Sequence, residues 1–111
     1  MQIAKHMRGS VTVVELDGDL DSVSAPASRK ELVQLVSNGG QVLLDLSNMS
    51  YMSSAGLRVL LLVYREATAA GTSLALTGIP HLIKDVMAAT GFLGFFTVVD
   101  SVEAGLEELA L

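Results

Sequence analysis

The apolar and polar positions of this 111-residue chain fall into short blocks whose period changes from block to block. Gln2 to Met7 and Val11 to Leu16 read as extended segments, with Arg8-Gly9-Ser10 as the turn between them. In the second segment Val11, Val13 and Glu15 alternate with Thr12, Val14 and Leu16, so neither face is fully polar and the strand belongs near a sheet interior. Gly18-Asp19-Leu20-Asp21 then leads out of it. Ser24 is placed to start a helix, with Pro26 in the first turn, where a missing N–H costs little. That helix is expected to run to about Asn38 with Leu32, Leu35 and Val36 inward, and Gly39-Gly40 stops it.

Gln41 to Leu46 is a short continuous apolar run, the pattern of a central strand covered on both faces. After it comes a long helix ended by Gly71. Leu57, Leu60, Leu61 and Tyr64 recur at i, i+3, i+4 and i+7 and define its inward face. Val59, Leu62 and Val63 form a second apolar stripe, which is either more core or a surface kept apolar for a partner. Leu74 to Thr77 is the next strand. Ile79 to Thr90 reads as a helix with Leu82, Ile83, Val86 and Met87 inward, closed by Gly91. Phe95 to Val99 is a short strand. Asp100, with Glu103 three residues on, resembles a capping box ahead of a last helix whose face is Val102, Leu106 and Leu109. The order β-β-α-β-α-β-α-β-α predicts one α/β domain with a small, mostly parallel mixed sheet, its opening pair antiparallel, and about four flanking helices.

Composition narrows the function classes. Half the residues are apolar and 17% are charged, which excludes a disordered chain and supports one core of this size. There is no cysteine, so thiol catalysis and cysteine metal sites are out. The net charge is −5 with scattered basic residues, which argues against nucleic-acid binding. No apolar run approaches about 18 residues, so no membrane span is expected. The opening MQIAKHMRGS is too polar for a secretion signal, and the expected location is cytoplasmic.

Catalytic motifs are sparse. The junction Ser47-Asn48-Met49-Ser50-Tyr51-Met52-Ser53-Ser54-Ala55-Gly56 contains neither phosphate-cradling glycine pattern, and the G-x-S-x-G elbow is missing. The two histidines, His6 in the opening strand and His81 beside Pro80, suit neither a serine triad nor a metal cluster. The carboxylates Asp19, Asp21 and Asp45 lie near strand ends, where α/β proteins gather their sites. Asp19 and Asp21 are either neighbours of the serines or a polar turn. One of Ser53 and Ser54 is needed to start the helix, which leaves the other spare. A phosphate at a helix N-terminus is tolerated by its own chain and adds about −1.5 to −2 charges at one surface point.

Asp45-Leu46-Ser47 followed by Tyr51-Met52-Ser53-Ser54-Ala55-Gly56-Leu57, with Gly18-Asp19-Leu20-Asp21 upstream and Thr90-Gly91-Phe92 downstream, resembles the signature of the STAS domain, and within it that of the bacterial anti-sigma factor antagonists. The likeness spans essentially the whole chain, 1–111. It implies a non-enzymatic partner switch without a cofactor. In that family the antagonist binds an anti-sigma factor that is also a serine kinase and so frees a sigma factor. The kinase uses ATP to phosphorylate a serine at the start of the helix, which weakens the complex, and a serine phosphatase restores the active form. The family pattern often reads D-S-S-G with the first serine phosphorylated. Counting back from the shared glycine assigns phosphorylation to Ser54, with Ser53 as the alternative, and puts Ser53 where many members carry aspartate and Ala55 where they carry the second serine. Asp21 falls on the family aspartate that contacts the kinase, beside Asp19. Gly56 would let a partner approach, and Val59 and Leu62 would supply apolar contact. The expected state is a monomer or weak dimer. STAS domains also serve as unphosphorylated accessory subunits of lipid-transport ATPases or stress-signalling scaffolds, which is the competing expectation.

Overall fold

Gly9, at φ 62°, turns strand β1 (Gln2–Arg8) back onto β2 (Val11–Leu20) as an antiparallel pair. The rest of the computed structural model, which describes residues 1–110, continues with α1 (Ala25–Val36), β3 (Gln41–Met52), α2 (Ser54–Ala70), β4 (Ser73–Thr77), α3 (His81–Ala89), a 3-10 turn at Leu93–Phe95, β5 (Thr97–Val99) and α4 (Val102–Ala110). The sheet order is β1-β2-β3-β4-β5, and every pair after the first is parallel. The expected α/β class, mixed sheet and four helices are therefore the observed ones.

Apolar residues leave both faces of the central strands. Val14, Leu16 and Leu20 of β2 and Val42, Leu44 and Leu46 of β3 pack with Leu32 and Val36 of α1, Leu57, Leu60 and Val63 of α2, and Ile83 and Met87 of α3. On the opposite face Val11, Val13, Leu43 and Ala75 meet Leu109 of α4, with Val99, Val102 and Leu106 around them. This double coverage is why β3 reads as an unbroken apolar run. It also explains Gly105 inside α4: a Cβ there would sit 2.8 Å from both δ-methyls of Leu43.

Several expectations need correction. β2 and β3 run on to Leu20 and Met52, past the expected ends at Leu16 and Leu46, because the two strands keep pairing through irregularities at Glu15/Asp17 and Gly18/Asp19. α1 ends at Val36, short of Asn38. In α2, Leu61 and Tyr64 are only half-buried, whereas Val59 and Val63 are buried. That helix packs on α1 as well as on the sheet, so its buried arc is rotated and widened, and the second stripe is mainly core. Tyr64 instead meets Phe95 and Phe96, with ring centroids 5.7 and 5.5 Å away. α3 begins at His81, and only Ile83 and Met87 point inward; Leu82 and Val86 are 78% and 53% exposed. Phe95 belongs to the 3-10 turn and not to β5. The side chain that caps α4 is Ser101, whose Oγ accepts the Ala104 N–H at 3.0 Å, and not Asp100.

Candidate functional site

The extension of β2 and β3 builds the site. Asp19 pairs with Tyr51 and Leu20 with Met52, and the Ser53 N–H then donates to the Leu20 carbonyl at 3.0 Å. This last bond fixes the entry of α2 against the end of β2. Ser53 is extended, with ψ 177°; its Oγ accepts the Gly56 N–H at 3.2 Å and its carbonyl accepts the Leu57 N–H at 2.9 Å. Ser53 is thus the N-cap. Ser54 is the first helical residue, exposed to solvent, and its hydroxyl makes no hydrogen bond among the described residues.

The division of labour between the serines gives a direct prediction. Ser53→Ala is expected to destabilise the domain by about 1 kcal/mol through loss of the cap. Ser54→Ala is expected to stay within roughly 0.5 kcal/mol of the parent. Urea unfolding of the two variants checks the pair.

Gly56 is buried, so the expectation that it admits a partner is corrected. A Cβ at this position would overlap the Leu20 carbonyl oxygen and lie 2.9 Å from Leu20 Cγ and from Met52 Cγ. Its absence lets α2 settle onto the end of β2. Val59, at 4% exposure, is likewise too buried to serve as contact surface, while Leu62 is half-exposed and Ala55 half-buried.

The two carboxylates of the G-D-L-D stretch differ. Asp19 is exposed and has Tyr51 beside it in register. Asp21 turns the chain into α1: its Oδ1 accepts the N–H groups of Val23 and Ser24, each at 3.0 Å. Ser24 occupies the N-cap position of α1 as expected but does not cap with its side chain. Its Oγ accepts the Asp21 N–H at 3.0 Å and donates to the Asp19 carbonyl at 2.8 Å. The Ser24 N–H holds the Asp21 carboxyl below the usual carboxylate range; desolvation opposes it, and the Val23 N–H adds to it. A depressed pKa in the folded state means the stabilisation is fully present above the unfolded carboxylate pKa. It is lost as pH falls through the folded value. Asp21→Asn keeps an acceptor for both N–H groups but loses the charge, so its stability is expected to fall less than the parent's between pH 5 and pH 2, as read by denaturant midpoints.

Beside Ser54 lies a groove of about 350 Å³ between the end of β3, the start of α2 and α3, lined by Tyr51, Met52, Ser54, Leu57, Leu82 and Val86. Tyr51 is 55% exposed. The sequence reading missed the part played by Tyr51, Leu82 and Val86. The available signal was the pair of adjacent apolar stripes, 82/86 and 83/87, on a nine-residue helix, which is more than one packed face can bury. His6 and His81 do not line this groove; each sits near a carboxylate, Glu15 at 3.9 Å and Asp85 at 3.4 Å. Among the described residues no cluster of His, Asp or Glu has the geometry to hold a metal ion, and no helix is long and apolar enough to cross a membrane.

A five-stranded mixed sheet with an exposed, unbonded serine at the start of the longest described helix, next to an apolar groove, defines a class: a small single-sheet α/β domain. The STAS domain model matches residues 2–105, and the chain belongs to that family. It is 38% identical over 105 residues to BtrV of Bordetella bronchiseptica, described as a candidate anti-sigma factor antagonist, covering 94% of this chain and 90% of that one. It is 29% identical over 94 residues to the anti-sigma-B factor antagonist of Bacillus subtilis, covering 85% and 86%. The crystal structure of an anti-sigma factor antagonist from Mycobacterium paratuberculosis has the same fold, with a TM-score of 0.88 at 21% identity over 99% of this chain and 94% of that one.

Proposed function

We propose that this chain is an anti-sigma factor antagonist that works by partner switching, with Ser54 as the switch. The unmodified protein binds an anti-sigma factor serine kinase and so releases the sigma factor. The kinase transfers the γ-phosphoryl group of ATP to Ser54 Oγ, the hydroxyl proton leaves, and ADP is the other product. The added charge lies at the partner-facing surface and weakens the complex. A serine phosphatase hydrolyses the ester and resets the switch. The chain itself supplies no catalytic group and no cofactor, acts in the cytoplasm, and works as a monomer or weak dimer.

The observation that carries this reading is the position of Ser54. Ser53 alone caps α2, which leaves the Ser54 hydroxyl unbonded and exposed on the rim of an apolar groove. A partner that covers Leu82, Val86 and Tyr51 meets that hydroxyl directly. Asp19 is exposed for contact at the same end of the sheet, and Asp21 serves chiefly to hold the turn in place.

The test is a quantitative pull-down from native cell extract with folded Ser54→Ala and Ser54→Asp baits. Capture of a serine kinase by the first and its loss from the second is the expected result. Capture of the same transporter ATPase or scaffold by both baits would replace the switch with an accessory-subunit role.

A further inference from the structure

Arg58 lies one helical turn beyond Ser54 on α2, where the α3 groove that Ser54 lines gives way to a depression facing α1. Residues at i and i+4 on a helix have Cβ atoms about 5–6 Å apart, within reach of each other's side chains. The Arg58 side chain is exposed, and neither ion pair found among the described residues involves an arginine. Arg58 also borders a depression of about 340 Å³ between the starts of α1 and α2, and Arg29 of α1 borders it too. Among the described residues no carboxylate lines that depression. In a protein of net charge −5, two guanidinium groups at one surface depression, in no ion pair among the described residues, form a local cationic spot.

We propose that Arg58 is the receptor for the phosphate group on Ser54. The ligand is a phosphate monoester carried by the chain itself, and the site exists only once Ser54 is modified. This rests on the assignment of Ser54 as the modified residue. The guanidinium fork suits two phosphate oxygens in a charge-assisted pair. Arg29 adds positive potential from the facing helix. Phosphorylation then does two things to the partner-facing surface. It adds a dianion beside the apolar groove, and it withdraws Arg58 from any acidic group of the partner. The switch becomes a rearrangement of two charges instead of the addition of one.

The test installs phosphoserine at position 54 during synthesis, so it needs no kinase and stands apart from the pull-down. The ³¹P resonance is followed through a pH titration of the parent, Arg58→Gln and Arg65→Gln. Phosphoserine ordinarily loses its second proton near pH 6. Groups other than the substituted arginine act alike in all three proteins, so the difference between proteins isolates each arginine. The parent is expected to titrate roughly 0.5 unit below Arg58→Gln, a shift moderated by solvent exposure. Arg65 lies about 16 Å from Ser54 along the helix axis, and Arg65→Gln is expected to match the parent. Equal midpoints for the parent and Arg58→Gln overturn the proposal, as does an equal shift in both variants. A second readout uses the unsubstituted chain: the Arg58 Nε–H resonance is expected to move on phosphorylation while that of Arg65 stays, and an unmoved Arg58 signal also overturns it. If the midpoints separate but the pull-down finds no kinase, the phosphate site stands and the sigma-regulatory reading falls.

Discussion

Gly56→Ala is expected to lower the unfolding free energy by about 3 kcal/mol, the largest stability loss we anticipate from adding one methyl group to this domain. The residue is in the first turn of α2, where alanine would ordinarily be favoured over glycine by about 1 kcal/mol. Sterics decide against it. The new Cβ would overlap the carbonyl oxygen of Leu20, which already accepts the Ser53 N–H at 3.0 Å. This is main chain, held in register against Met52 of β3, and it cannot swing aside as a side-chain end can. Leu20 and Met52 side chains, each with Cγ 2.9 Å away, close the other directions. The helix start must therefore lift off β2, which lengthens the Ser53–Leu20 bond and loosens the packing of Leu57. For a domain of this length the thermal midpoint should fall by roughly 10 °C. Gly105→Ala is a useful contrast, because there the obstructing atoms are the ends of the Leu43 side chain. A Gly56→Ala protein with an unchanged midpoint would mean that α2 does not seat on β2 as described.

The second large effect concerns binding. If the proposed partner is an anti-sigma factor kinase, replacing both Leu82 and Val86 by aspartate is expected to weaken its binding at least 100-fold while leaving the fold intact. Both side chains are mostly in water already, so the change buries no charge in the free protein and stability should move by less than about 1 kcal/mol. In the complex the same positions would be covered, and two carboxylates would be desolvated without partners. A few residues near the centre of an interface cost about 2 kcal/mol or more on truncation, and burying two unpaired charges adds to that, which sets the scale of the loss. The matching change at Leu62, on the opposite flank of α2, should have a much smaller effect. Titration calorimetry with the captured kinase measures all three proteins, and equal affinities for the parent and the double variant would move the contact surface away from α3.

Much of this architecture was legible in the residues. The apolar run 42–46, the glycines at 39–40 and 71, and the i, i+3, i+4 spacing around Leu57 and Leu60 fixed element type and order, because local periodicity and turn chemistry act on the chain before any tertiary contact forms. The two serines ahead of a helix showed that one hydroxyl was spare, and likeness to a known family pointed to Ser54. Three things were decided only by the tertiary structure. Continued pairing of β2 with β3 carried both strands six or fewer residues past their apolar blocks, to Leu20 and Met52, since backbone hydrogen bonds do not need apolar side chains. The position of α1 against α2 turned Val59 and Val63 into core, because which arc of a helix is buried depends on how many neighbours it has. The shallow seating of α3 left Leu82 and Val86 outside, and brought them to the same groove as Ser54 across about thirty residues of sequence, a distance that no local pattern spans.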